Sequence, residues 1–157
     1  MSDSFIILWL LAFHFVGDFL LKSHYMSVNK SKSNKVLAEH VFVYSFTVLA
    51  GTFLLSAFTS DVPMLIGSTL FAGWLFISHF ITDYFTSRWT SRLWKQSMVL
   101  TDMIDRELKI VPESSKTIDF MKAKRDNHIH NFFCVIGFDQ LLHAAQIILG
   151  FYFILKP

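Results

Sequence analysis

Residues 5–21 read FIILWLLAFHFVGDFLL, an apolar run that is interrupted only by His14, Gly17 and Asp18. Its length is at the short end for a helix that crosses a membrane, which needs about 17–25 residues. A charged side chain inside such a run is costly unless it is paired, hydrated, protonated or bound to metal. This stretch therefore predicts a membrane-spanning helix that carries an ionisable pair.

Three further apolar runs follow, at about residues 36–58, 63–85 and 132–155. Together the four runs predict an all-α fold, an integral membrane four-helix bundle. A helical cytoplasmic loop is predicted at about residues 86–131, between the third and fourth spans. Because 157 residues suffice for one domain, residues 1–157 are expected to form a single membrane domain.

Basic residues are concentrated in two of the connecting segments. Of the 14 Lys and Arg residues, 13 lie within residues 22–35 or 86–131, and the other is Lys156. Because cytoplasmic loops of membrane proteins carry an excess of Lys and Arg, both segments are predicted to be cytoplasmic, with both termini outside. The net charge of +2 is too small to indicate a nucleic-acid partner.

Pairs of His and Asp at helix spacing occur inside three of the four runs. Residues four apart lie on the same face of a helix. At a rise of about 1.5 Å per residue, all the members lie within about 18 Å of the cytoplasmic ends of their helices, in the inner half of the membrane. The residues that share this depth are His14 and Asp18, His79 and Asp83, Asp139 and His143, and a single histidine, His40.

These residues predict a metal site. Three intramembrane aspartates would cost roughly 8–10 kcal/mol in total if they were unpaired. No Lys or Arg lies within the inner parts of the spans, so histidine or a bound cation is the expected partner. His and carboxylate ligands without thiolate suit Zn, Mn, Fe or Ni, and we expect Zn first, with Mn and Fe as alternatives. The predicted ligands are His14, Asp18, His40, His79, Asp83, Asp139 and His143.

The predicted ligands outnumber the four positions of one tetrahedral metal site. Either two metals bind, or some of the residues orient others or act as general bases. The leading prediction is a metal-dependent hydrolase that acts on a lipid-linked or membrane-proximal substrate, with a metal that lowers the pKa of a bound water. The candidate catalytic bases are Asp18, Asp83 and Asp139.

Two other interpretations stay open. Asp and His also form proton and ion pathways in membranes, although nothing strongly polar continues through the outer half of these spans. Alternatively, the pairs only hold helices together in a non-catalytic membrane adaptor whose Trp- and Arg-containing cytoplasmic loop docks a protein. The expected partners are membrane lipids, a lipid-linked substrate, and either a second copy of the chain in a homo-oligomer or a cytoplasmic protein.

A set of motifs occurs in a fixed order along the chain. The motifs are His14-Phe15-Val16-Gly17-Asp18-Phe19-Leu20-Leu21, Met26, Asn29-Lys30, His40, Ser78-His79-Phe80-Ile81-Thr82-Asp83-Tyr84 and Asp139-Gln140-Leu141-Leu142-His143. They resemble a family of small bacterial and phage membrane proteins known as domain of unknown function 3307. The resemblance covers nearly the whole chain except about residues 94–127, and it implies a bacterial inner membrane or, for a phage protein, the host membrane. Lys22 stands where the family pattern leads us to expect glutamine. A more distant resemblance is to membrane-bound proteins labelled metal-dependent hydrolases.

Overall fold

The computed structural model describes residues 2–58, 66–110 and 115–156, and these residues form five α-helices. Short π-helical segments extend the first helix at Val16–Leu20 and the last at Phe151–Leu155. The described residues contain no β-strand, so the prediction of an all-α fold is confirmed. The helices are α1 Asp3–Phe15, α2 His24–Asn29, α3 Asn34–Ser56, α4 Ile66–Glu107 and α5 Lys116–Gly150.

Three described segments are long and apolar enough to cross a membrane, namely Asp3–Leu20, Asn34–Ser56 and Lys116–Leu155. The first two agree closely with the predicted first and second spans, whereas the third contains the predicted fourth span, residues 132–155, but already begins at Lys116. Helix α4, which contains most of the predicted third span, is not among the three. The sequence Thr59-Ser60-Asp61-Val62-Pro63 predicts a turn, since Pro63 is well placed at the start of the next helix. This turn lies outside the described residues.

Between residues 86 and 131, the described residues belong to longer helices than the predicted helical loop between two spans. Helix α4 runs on to Glu107, and α5 already begins at Lys116. The physical reason is that residues 86–107 contain neither Gly nor Pro, the two residues that most strongly disfavour a helix interior. The sequence Pro112-Glu113-Ser114-Ser115 predicts a helix break, because proline disfavours a helix interior. This stretch lies almost wholly outside the described residues.

The chain divides into two compact units, Met1–Tyr84 with Gln140–Pro157, and Phe85–Asp139. The expectation of one domain over residues 1–157 stays a prediction. In the second unit, Ile104, Ile118 and Met121 form a small apolar cluster.

In the first unit, residues from α1, α3, α4 and the end of α5 bury a common apolar core. Large apolar side chains also point outward, among them Leu8, Phe42 and Ile77, each more than 60% exposed. An outward face of this kind is unusual for a protein in water and suits a lipid environment. The core residues are Ile6, Leu10, Tyr44, Val48, Leu55, Phe71, Leu75, Ile147, Phe151 and Leu155.

A buried glycine, Gly51, brings α1 and α3 into close contact. The indole Nε1 of Trp9 donates a hydrogen bond to the Gly51 carbonyl oxygen at 2.9 Å. A Cβ atom at Gly51 would lie 2.5 Å from Cγ of Phe13, well inside van der Waals contact. Any side chain at residue 51 would therefore force the Phe13 ring to move.

We expect Gly51→Val to lower the free energy of unfolding by about 1–3 kcal/mol, because the Phe13 ring must move and α1 must separate from α3. Thermal unfolding of the detergent-solubilised protein measures the change. The matched control is Gly73→Val, at an exposed helical position where an added Cβ meets nothing within 4 Å. Equal destabilisation by both variants would contradict the close-packing interpretation.

Candidate metal centre

Five of the seven predicted ligands lie together in the first unit, each at most 2% exposed. They come from the π-helical segment after α1 and from α3, α4 and α5. Two overlapping groups share His79, and in each group one ligand atom per residue lies within 4.8 Å of the others. The groups are Asp18, His40 and His79, and His79, Asp83 and His143.

The π-helical segment places Asp18 beside α3. Its wider turn is closed by the Leu21 amide, which donates to the Val16 carbonyl oxygen at 2.9 Å, and such segments frequently occur at functional sites. A Cβ on Gly17 would lie 3.2 Å from Cα of Tyr44, so glycine permits the close approach of the two helices. His40 lies one turn before Tyr44 on the same face of α3. Asp18 and His40 therefore meet.

Four side-chain atoms form a closed ring of alternating oxygen and nitrogen, which we call the four-atom ring. Its members are Asp18 Oδ1, His40 Nε2, Asp83 Oδ2 and His79 Nε2. Nε2 of His40 lies 3.2 Å from the Asp18 oxygen and 3.3 Å from the Asp83 oxygen. Nε2 of His79 lies 4.0 Å and 3.5 Å from the same two oxygens.

The contacts around the four-atom ring are short, but they are not aligned as hydrogen bonds. Among the described residues, Asp18 Oδ1 and both ring nitrogens of His40 and of His79 have no hydrogen-bond partner. Ligand atoms at 2.0–2.1 Å from a tetrahedral metal lie about 3.3–3.4 Å apart. Three of the four contacts are close to this spacing, so these residues could in principle hold a metal ion.

Gln140 holds the other oxygen of Asp18. Its Nε2 donates to Asp18 Oδ2 at 3.1 Å. Its Oε1 is then the acceptor for His14 Nε2, at 3.2 Å. His14 thus orients Gln140, and Gln140 orients Asp18 so that Oδ1 faces the four-atom ring. Among the described residues, His14 belongs to neither ligand group, and its predicted role as a ligand stays a prediction.

Gln146 determines which nitrogen of His143 carries the proton. Its Nε2 donates to Thr82 Oγ1 at 2.6 Å and to the Ser78 carbonyl oxygen at 3.3 Å. Its Oε1 therefore accepts from His143 Nδ1, at 3.2 Å. A neutral His143 then has its lone pair on Nε2, which lies 3.7 Å from Asp83 Oδ1. A lone pair that faces a carboxylate oxygen is stabilised by a proton or a metal between them.

Two lysines reach the same carboxylates, and here the sequence-based expectation of no basic partner was wrong. Lys30 Nζ donates to Asp83 Oδ2 at 2.6 Å, and Lys22 Nζ lies 3.6 Å from Asp18 Oδ1. Burial, and then repulsion from the Lys30 ammonium, lower the pKa of Lys22. The position of Lys22 four residues after Asp18 was a signal in the sequence. Asn29-Lys30 was among the motifs of the family resemblance, but no spacing in the sequence connected Lys30 with Asp83.

The short helix α2 explains how Lys30 reaches the cluster. The Ser23 side chain caps the helix by accepting a hydrogen bond from the Met26 amide at 3.2 Å, as serine commonly does at this position. The chain thus turns back between α1 and α3, and Lys30 follows the last residue of α2.

Asp139 is not a member of either ligand group among the described residues. It lies in the second unit, where the Thr86 hydroxyl donates to Asp139 Oδ1 at 2.6 Å. Its predicted roles as a ligand and as a base therefore stay predictions.

The comparisons with known proteins concern the whole chain. The sequence model of one family, described as "Protein of unknown function (DUF3307)", matches residues 5–157. No curated protein and no solved structure matches the chain. The match includes residues 94–127, which the resemblance of the motifs did not cover.

We expect Gln140→Leu to lower the free energy of unfolding by about 1–3 kcal/mol, because Asp18 Oδ2 and His14 Nε2 both lose a buried hydrogen bond. Denaturation in detergent with increasing dodecyl sulfate measures the change. Gln96→Leu is the control, since Gln96 lies at an exposed position of α4. If the two variants unfold at the same denaturant concentration, Gln140 does not support Asp18.

Proposed function

The chain belongs to the family described as Protein of unknown function (DUF3307), and from its buried cluster we propose that it is a divalent-metal-dependent hydrolase of the membrane. The four-atom ring is the observation that carries this proposal. Its two imidazole nitrogens and two carboxylate oxygens converge at distances of 3.2–4.0 Å. Among the described residues, the two nitrogens and Asp18 Oδ1 have no hydrogen-bond partner, whereas Asp83 Oδ2 accepts a hydrogen bond from Lys30. The family description states no activity, so the proposal depends on the residues.

The chemistry of the donor set suits a metal. Asp18, His40, His79 and Asp83 would hold it, which gives two nitrogen and two oxygen ligands. Zinc accepts this set in tetrahedral geometry, and Mn and Fe are the alternatives. Gln140 supports the choice, because a ligating carboxylate is commonly fixed by a hydrogen bond to its other oxygen.

A bound divalent metal lowers the pKa of water in its coordination shell, which provides a nucleophile at neutral pH. We assign the role of general base to His143. Gln146 fixes the proton on Nδ1, so that Nε2 can accept a proton at the edge of the cluster. A base whose tautomer is held by a third residue is the usual arrangement in general base catalysis. Asp83 Oδ1, at 3.7 Å from Nε2, would stabilise the protonated imidazole.

We infer that the site lies within a four-helix membrane bundle with spans at about residues 5–21, 36–58, 63–85 and 132–155. The length and composition of three described segments support this, as do the outward apolar side chains of the first unit. The Lys-rich segment of residues 22–35 supports a cytoplasmic position for the end of the bundle near Asp18. A substrate would then be lipid-linked or close to the inner leaflet.

A proton- or cation-handling protein is the second candidate function. The ammonium groups of Lys30 and Lys22 lie 2.6 Å and 3.6 Å from carboxylate oxygens of Asp83 and Asp18. They therefore compensate both carboxylates without any metal, and networks of this kind also occur in transporters. Metal content decides between the two candidates.

We expect purified wild-type protein to contain close to one equivalent of zinc, manganese or iron, and the variant His79→Ala/Asp83→Ala to contain none. Removing two ligands should weaken the site by more than the roughly 10–100-fold caused by losing an orienting hydrogen bond. Elemental analysis of the detergent-purified protein measures this. His24→Ala, at an exposed position of α2, should keep the metal. Metal-free wild type, even after reloading, would favour the ion-handling candidate.

We expect His143→Gln to keep the metal and to lose hydrolytic activity by about 10²–10⁴-fold, the usual contribution of a general base. The assay is release of product from a panel of water-soluble and lipid phosphoesters and carboxylic esters, with metal content measured on the same samples. If metal and activity are lost together, His143 is a ligand rather than the base.

A further inference from the structure

The two lysines and two aspartates of the cluster form a charge-neutral set. Lys22 and Lys30 each carry one positive charge, and Asp18 and Asp83 each carry one negative charge. Binding of a divalent metal to the two carboxylates would leave a net charge of about +2 in a buried site, which is costly without a counter-ion. Binding of a dianion would therefore stabilise the metal-loaded site.

The positions of the two lysines show where such an anion would bind. Their side chains are 17% and 14% exposed, whereas the aspartates that they contact are 3% and 1% exposed. The ammonium groups therefore lie at the outer edge of the cluster, between the buried ligands and the surroundings. Lys22 is also held over the Phe19 ring, with Nζ 5.2 Å from the ring centroid.

We propose that the metal, Lys22 and Lys30 together bind a phosphate group, so that the substrates of this site are phosphate monoesters of the membrane. The inference rests on the proposed metal-dependent function and names its substrate class. A phosphate monoester is largely dianionic at pH 7, and it offers three acceptor oxygens. Those oxygens match one metal and two ammonium groups, and lysine is a common phosphate ligand.

Lys30 couples the binding of metal and phosphate. Its ammonium group and the four-atom ring use the same oxygen, Asp83 Oδ2, from which Nζ lies 2.6 Å. A metal on that oxygen repels the ammonium group, which is then released to donate to the phosphate. Each ligand should consequently tighten the binding of the other by the same factor, as linkage requires.

Isothermal titration calorimetry in maltoside detergent tests the proposal, with zinc-loaded and metal-free protein in parallel. The probes are inorganic phosphate, dihexanoyl phosphatidic acid and succinate. We compare the wild type with Lys22→Met/Lys30→Met, and Lys32→Met/Lys35→Met is the control because both of its lysines are exposed in the same segment. Zinc content is measured for every sample.

We expect zinc to tighten phosphate binding by at least about tenfold, and Lys22→Met/Lys30→Met to weaken it by at least about tenfold, the value of one or more charged hydrogen bonds. The control variant should bind as the wild type does. Tighter binding of phosphatidic acid than of inorganic phosphate identifies a lipid headgroup as the source, and the reverse order identifies free phosphate.

Three results would overturn the inference. Wild-type phosphate affinity in zinc-loaded Lys22→Met/Lys30→Met would exclude the two lysines and leave the metal function intact. Succinate binding as tight as phosphate binding would exclude the phosphate class. Wild type that binds no zinc, manganese or iron, even after reloading, would overturn both this inference and the proposed function, and the metal analysis separates that failure from the other two.

Discussion

Two carboxylates that are buried away from water, Asp18 and Asp83, determine how the rest of the first unit is arranged. Each buried ion costs several kcal/mol in lost hydration, in a protein whose total stability is expected to be about 5–15 kcal/mol. Such groups persist only where opposite charge or donors surround them. Both carboxylates are surrounded by such groups. They are the imidazoles of His40 and His79, the ammonium groups of Lys22 and Lys30, and the amide of Gln140.

The local structure around the cluster serves the same requirement. The π-helical segment and Gly17 bring Asp18 against α3, and the cap of α2 returns Lys30 to the carboxylates. On α5, the Gln140 amide bonds Asp18 through its nitrogen and His14 through its oxygen. The Gln146 amide bonds Thr82 through its nitrogen and His143 through its oxygen. Because each amide must donate with nitrogen and accept with oxygen, it fixes the tautomer or the orientation of its neighbour.

The cluster combines features of a metal site and of an ion-pair network. The lysine ammonium groups compensate the charge of the carboxylates, but ring nitrogens of His40 and His79 have no hydrogen bond among the described residues. Ammonium groups do not satisfy these nitrogens, whereas a metal satisfies nitrogen and oxygen at once. Under the proposed function, competition between Lys30 and the metal for Asp83 Oδ2 would make Lys30 available to an anion.

The sequence by itself determined the helical class and three of the apolar segments, and it singled out seven His and Asp residues, five of which are buried together. These features are local, because apolar run length and i, i+4 spacing need no knowledge of distant residues. Only the tertiary structure decided which atoms face one another. Lys30 meets Asp83 across 53 residues, and Gln140 meets Asp18 across 122, and such contacts depend on how the helices pack. For the same reason only the structure separated His14 and Asp139 from the two ligand groups.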